Sequence, residues 1–336
     1  MLIRAATMFL LAALAPALAA PLGKTFKDWE VACDNVGDCV AHGYPPLANR
    51  PPETWVRLTV KAGPDPRPTL SGQAKGVDFT SAKVIDAPAE LAGKPAVEQL
   101  LAMARKEDKA TFSSHGKTGA VISLSGFAAA LLAIDETQGR INTTAALIRK
   151  GDRASTLIPG PRPPPRVTPV PTRAMPAADD SLLAEVARAQ SPSFREDCPR
   201  QDAEPGAGEA FVLERGVTLV QLYCESGAYN FMSRFFTVKG ADARAARLDA
   251  RSARLIAFVT PDARTETTLT NPEYDPKTGL LSFFAKGRGV GDCGVMGAYA
   301  WTGVRFELSS WTQMLECAGV SGEGDGWPAL WRTRAK

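Results

Sequence analysis

Apolar and polar positions alternate along several short stretches of the chain, and the alternation predicts strands. Phe26-Lys27-Asp28-Trp29-Glu30-Val31-Ala32 reads as one strand, followed by an Asn35-Val36-Gly37-Asp38 turn. Residues 55–60 read as a second strand that the Gly63 to Pro68 turn brings to an end, with short strands expected at 77–79 and 84–85. The period then changes. Val97, Leu100, Leu101 and Ala104 share one face of a helix over 95–106, with Pro95 in its first turn. The uncharged stretch from Thr118 to Ile134 is 17 residues long, shorter than the ~20 a membrane span needs. It reads as a strand at 120–124, a Ser125 helix cap and a helix from Gly126 to about Asp135. The apolar run at 145–148 reads as a further element.

Beyond residue 178 the pattern becomes almost wholly period-two. A short helix carries Leu182, Leu183 and Val186, and runs at 211–214 and 217–223 flank Arg215-Gly216 as a hairpin. Strands follow at 231–238, 254–260, 280–286, 298–302, 304–308 and 311–317, and residues 271–279 read as a hairpin turn. Turns recur every 8–12 residues or so, the rhythm of a meander, sandwich or barrel. The expected class is α+β and mostly β. Between the halves, residues 156–178 carry eight prolines and three arginines and no acid, a composition that favours an extended spacer over a packed core. The expected organisation is therefore a signal peptide at 1–19, a mixed β-rich domain with two helices at 20–155, a proline-rich linker at 156–178 and a mainly antiparallel β domain at 179–336.

Length supports that division, since 336 residues exceed the ~250 at which single cores stop growing. The formal charge is +3, too small to propose nucleic acid as the partner. Arg4 and the apolar run 5–18 end in Ala17-Leu18-Ala19, the small-x-small pattern of a cleavable export signal. Cutting after Ala19 would deliver the mature chain to the periplasm or the medium without a membrane span, and no cysteine lies near enough the cut for lipid attachment. In that oxidising setting six cysteines read as disulfides. Position pairs Cys33 with Cys39. Among the three options for the distal four, Cys198 with Cys224 and Cys293 with Cys317 are preferred. No Cys-x-x-Cys spacing supports zinc, and no motif calls for a metal or cofactor.

Chemistry is sparse. Lys286-Gly287-Arg288-Gly289-Val290-Gly291-Asp292-Cys293-Gly294 is the best candidate: its glycines can expose N–H groups, and Lys286 and Arg288 add charge that would suit an anion. It lacks the nucleotide P-loop spacing, and Arg288 pairing with Asp292 in a tight turn is the alternative. Tyr229 and Asn230 with Trp301, Trp311, Trp327 and Trp331 could form an aromatic platform for a glycan, or else pack as core. His42 and His115 both read as solvated loop residues, so no catalytic residue is assigned. Acids are plentiful, but no spacing selects a pair for glycoside hydrolysis.

Several segments together resemble a known family. They are Lys24-Thr25-Phe26-Lys27-Asp28-Trp29 leading to Cys33 and Cys39, Cys224-x-x-Gly227-Ala228-Tyr229-Asn230, the glycine-rich run at 286–294, and the closing Trp327-Pro328-x-x-Trp331-Arg332. In this order, and over essentially the whole mature chain, they resemble the exported bacterial family catalogued as domain of unknown function 1176. The resemblance implies a signal peptide and an envelope location. The first domain is also similar to the invasion-associated locus B family through its Asp-Trp strand and residues 123–131, which implies a theme of envelope stress or host contact. The combined expectation is a non-enzymatic binding or structural module of the cell envelope. Its ligand would sit at Lys286, Arg288, Asp292, Tyr229 and Asn230, and its partner is an unidentified envelope ligand or protein. A carboxylate-dependent hydrolase of cell-wall glycans and a protein inhibitor or host-contact factor are the competing readings.

Overall fold

The first alternating stretch folds as two strands rather than one. Lys27 takes φ 55°, and Lys27-Asp28 turns the chain between β1 (Leu22–Phe26) and β2 (Trp29–Cys33), with Phe26 paired opposite Trp29. The reason lies in the spacing: residues three apart fall on opposite faces of a single strand, whereas a two-residue hairpin loop puts both aromatics on the same face. β3 (Cys39–Gly43), β4 (Trp55–Val60) and β5 (Thr69–Gln73) continue in chain order to complete a five-stranded antiparallel meander. A second sheet holds β6 (Lys83–Val84), β7 (Lys109–Ser114) and β8 (Lys117–Ser123). The computed structural model describes residues 21–174, 180–190, 198, 208–214, 216–240, 249–322 and 326–334. The expected signal peptide at 1–19, the last linker residues 175–178 and Arg215 of the expected hairpin lie outside them.

Two helices cover these sheets, α1 (Ala96–Met103) and α2 (Phe127–Thr137). α2 begins on Gly126 at φ 93°, with no side-chain cap, so Ser125 does not play the capping part expected of it. A Cβ at Gly126 would sit 1.8 Å from the Phe26 carbonyl oxygen; only glycine lets the helix start this close to the β1–β2 turn. Phe127 then stacks on Trp29 at 4.1 Å, and Trp29 Nε1 donates to the Ser123 carbonyl at 2.8 Å. Residues 145–148 form no strand: Ala146 N donates to Thr143 O in a turn, and a side chain takes the N–H groups that follow. Fully buried Asp135 accepts from Leu147, Ile148 and Arg149 at 2.8, 3.0 and 3.3 Å. Residues 77–79 likewise form a turn, with Val77 N donating to Ala74 O.

The proline-rich stretch crosses the molecule as a strap. Prolines cannot donate, so the residues between them anchor it: Arg162 N to Val36 O, Val170 N to Trp301 O, and Thr172 N to Pro276 O. Ile158 and Val167 are buried. β9 (Arg173–Ala174) ends the strap and joins a sheet ordered β13-β12-β11-β10-β9, made with β10 (Gly208–Glu214), β11 (Val217–Ser226), β12 (Phe231–Lys239) and β13 (Arg254–Leu255). α3 (Asp180–Ala189) packs Leu182, Leu183 and Val186 against it. β14 (Phe258–Val259) pairs β15 (Thr265–Glu266), and β16 (Thr268–Thr270) pairs β12. The last sheet is a second meander in chain order: β17 (Glu273–Asp275), β18 (Leu280–Lys286), β19 (Gly294–Trp301), β20 (Phe306–Met314) and β21 (Ala329–Arg332). The class is thus antiparallel, mostly β, with three helices and no closed barrel among the described residues.

The disulfides are Cys33–Cys39, Cys198–Cys224 and Cys293–Cys317, the preferred pairing. One core cluster stays within residues 29–134. Two others join early and late segments: Ala32 packs with Leu330 and Trp311, and Tyr44 with Cys293, Met314 and Trp327.

Candidate functional site

The glycine-rich loop turns between β18 and β19, and the residues expected around it do meet there. Asn230, just before β12, donates through Nδ2 to Lys286 O at 2.9 Å and accepts from Lys286 N at 3.2 Å. The Tyr229 hydroxyl reaches Gly287 O at 3.5 Å. Arg288 grips Asp292 with two bonds, Nε to Oδ1 at 2.6 Å and Nη2 to Oδ2 at 2.5 Å, and Asp292 also accepts Gly319 N at 2.7 Å. The bond from Arg288 holds the Asp292 carboxyl below its usual range. Gly287 permits a close approach, since a Cβ there would lie 2.7 Å from Cys293 Sγ. Lys286 Nζ rests 5.6 Å from the Phe284 ring. Most polar groups of this loop are thus engaged by the protein itself. Asp292, Cys293 and Cys317 have ligand-type atoms within 4.8 Å of one another, but both sulfurs are tied in the disulfide and are not thiolate donors.

His42 is not in a solvated loop. It lies in β3, fully buried, directly across from Glu30 in β2. Arg57 on β4 donates Nε to His42 Nε2 at 2.9 Å. A guanidinium only donates, so Nε2 carries no proton and the neutral ring holds it on Nδ1. Nδ1 faces Glu30 Oε1 at 3.7 Å, and neither atom has a hydrogen bond. Burial and the Arg57 charge push the His42 pKa well down, while burial raises Glu30 to about 7. The other carboxyl oxygen of Glu30 accepts Leu315 N and Glu316 N at 3.0 and 2.9 Å, and Arg57 Nη2 donates to Gly326 O. The cluster therefore fastens the first meander to residues 315–326. The ring is fully buried, with Nε2 taken by the Arg57 cation and Nδ1 facing the Glu30 carboxyl without a hydrogen bond. A signal for it existed in the sequence. Pairing Cys33 with Cys39 and counting outward along two antiparallel strands sets His42 opposite Glu30.

An open cleft lies elsewhere, between the strap and the β19–β20 hairpin. Its volume is about 680 Å³, and its walls include Arg166 and Val167 of the strap, Ile256, Trp301, Phe306 and Trp331. Val304 at the hairpin tip also lines it and is 85% exposed. Trp301 is only 2% exposed, yet its Nε1 has no hydrogen-bond partner. A buried N–H left unmade costs ~1–3 kcal/mol, and the indoles of Trp55 and Trp311 bear the same cost. Trp331 Nε1, by contrast, is satisfied by Leu308 O at 3.2 Å. The four tryptophans considered as a platform do not form one. Trp301 and Trp331 share the cleft, whereas Trp311 packs on Phe283 at 5.2 Å and Trp327 on Phe284 at 5.6 Å. The single carboxylate in the cleft lining, Glu307, is paired with Arg305 at 2.9 Å.

Two antiparallel meanders, three disulfides and an aromatic cleft define a disulfide-stapled β protein with a small-molecule-sized hollow. The chain belongs to the family described as Protein of unknown function (DUF1176), which it matches over residues 23–334. It is 29% identical over 342 residues to the Uncharacterized protein YpfG of Escherichia coli strain K12, covering 94% of each chain. No solved structure matches it. No helix among the described residues is long and apolar enough to cross a membrane.

Proposed function

We propose that the chain is an exported cell-envelope protein that works as a non-enzymatic binding module. It is built of two domains, at 20–155 and 179–336, joined by the linker at 156–178, and its ligand site is the aromatic cleft. The observation that carries this reading is a cleft lined mainly by aliphatic and aromatic side chains whose volume falls in the range of small-ligand sites. Binding is favoured over two-carboxylate hydrolysis because the cleft offers one acid, already held by Arg305. The Lys286 to Asp292 loop contributes rigidity beside the Cys293–Cys317 disulfide, with Lys286 and Tyr229 as its remaining surface groups.

Two measurements test the reading. The dye 8-anilinonaphthalene-1-sulfonate should bind saturably at one site, and Val304→Glu should weaken it at least about tenfold with unchanged melting temperature. Equal dye binding by that variant would refute the cleft. Expressed from its natural start with its leader, the protein recovered from the periplasm or medium should begin at Ala20. A cytoplasmic product that keeps Met1 would refute export.

A further inference from the structure

We infer that the cleft takes a single-chain anionic amphiphile, its apolar tail against Trp301, Phe306 and Ile256 and its carboxylate toward Arg166. This rests on the cleft being the binding site. The lining decides the ligand class through what remains unpaired. Arg305 and Glu307 neutralise each other, and the Thr260 hydroxyl is spent on Asp262 Oδ1 at 2.5 Å and Arg264 O at 3.1 Å. What is left over is the Thr237 hydroxyl and the Arg166 guanidinium, which carries no ion pair among the described residues. The guanidinium can only donate and is a cation, so the ligand has to bring acceptors and negative charge. The rest of the lining is mainly aliphatic and aromatic. A glycan would leave most of its hydroxyls facing carbon there, and a cationic amphiphile would meet Arg166 without a free counter-charge. An apolar chain with one acidic end satisfies both halves of the wall.

The position of Arg166 strengthens the assignment. It sits on the strap, whose Val167 is buried and whose Val170 N donates to Trp301 O at 2.7 Å. The strap thereby ties the backbone of a tryptophan in the cleft lining to the segment that carries the cation. The β19–β20 hairpin tip closes the other side, and Val304, exposed as it stands, would be covered by a bound tail.

The test uses dodecanoate, dodecan-1-ol and dodecyltrimethylammonium below their micelle-forming concentrations, titrated into the full mature chain by calorimetry and tryptophan fluorescence. Dodecanoate should bind at one site per chain and at least about tenfold more tightly than the ammonium amphiphile. Exposed Arg166→Glu should reverse that order. Equal binding of the anion and the cation, or an Arg166→Glu variant with wild-type preference, would overturn the ligand class. If the dye site responds to Val304→Glu while no dodecyl compound binds, the cleft stands and the amphiphile falls. If neither the dye nor dodecanoate responds to Val304→Glu, both readings fall together.

Discussion

Glu30 and His42 refuse charge in opposite directions. Burial raises Glu30 to about 7, so the folded chain holds that proton more tightly than the unfolded one. The stability it contributes is fully present at low pH and is lost as pH rises toward and through about 7, on the order of 3 kcal/mol over the window. His42 has the opposite sign: burial and Arg57 push it down, so its contribution is present at neutral pH and lost as the solution becomes acidic. Asp34, also raised chiefly by burial, adds to the Glu30 slope, whereas Arg50 and Glu316 flank Tyr44 and compensate each other at 3.1 Å. The two opposed slopes predict that urea-unfolding stability peaks at mildly acid pH. Glu30→Gln should abolish most of the decline between pH 5 and 7.5, and His42→Gln should steepen it by removing the opposing slope. A Glu30→Gln protein with the wild-type slope would exclude this account. The chemistry of these residues was hard to see in the sequence because His42 precedes Gly43-Tyr44-Pro45-Pro46, which looks like a loop. The partners of Glu30 and Arg57 are Leu315, Glu316 and Gly326, nearly three hundred positions away, and no local pattern reports that.

At the level of elements, legibility followed the range of the contacts. Hairpins with glycine turns, the α1 face and the cysteine staples are set by neighbours a few residues apart, and these were readable. Alternation alone merges β1 and β2, because it does not report which face Phe26 and Trp29 share. A side-chain cap is a local rule and points to Ser125, whereas α2 starts where a distant contact allows, at the approach to the Phe26 carbonyl. A matched pair of substitutions separates these effects. Gly76, at φ 79°, has open space around it, so Gly76→Ala should cost only the left-handed penalty of ~1 kcal/mol. Gly126→Ala adds a backbone clash and should cost at least ~2 kcal/mol more, read from urea midpoints. Similar costs at both sites would mean that α2 can shift away from the β1–β2 turn. In the cleft, the sequence offered tryptophans at strand spacing. Which two of the four share a wall depends on how β19 and β21 are brought to the strap, and that is not a property of any one segment.

For the whole molecule, the question is what holds the first and last meanders together. The strap touches both meanders, at Val36 and at Trp301, yet a second set of contacts joins them directly. Arg332 pairs with buried Asp34, Asn35 exchanges hydrogen bonds with the Arg332 backbone at 2.9 Å in both directions, and Glu30 takes two N–H groups from residues 315 and 316. Tyr44 adds an apolar contact with Met314, Cys293 and Trp327. These groups are largely buried, so ordinary salt should screen them weakly. The strap, by this reasoning, shapes the cleft more than it holds the halves. Cutting the mature chain at a protease site inserted after exposed Gly160 should therefore leave one particle on size exclusion, with the Glu30-dependent pH profile intact. Adding Arg332→Glu to the cut protein strands the Asp34 carboxylate beside a like charge, and the two fragments should then separate or unfold at lower urea. If the cut alone releases the fragments, the strap is the main tether and the buried contacts are incidental. If the particle stays whole but the cleft no longer binds dye, the strap's role lies in carrying Arg166 and Val167 to the cleft, as its bond from Val170 to Trp301 already suggests.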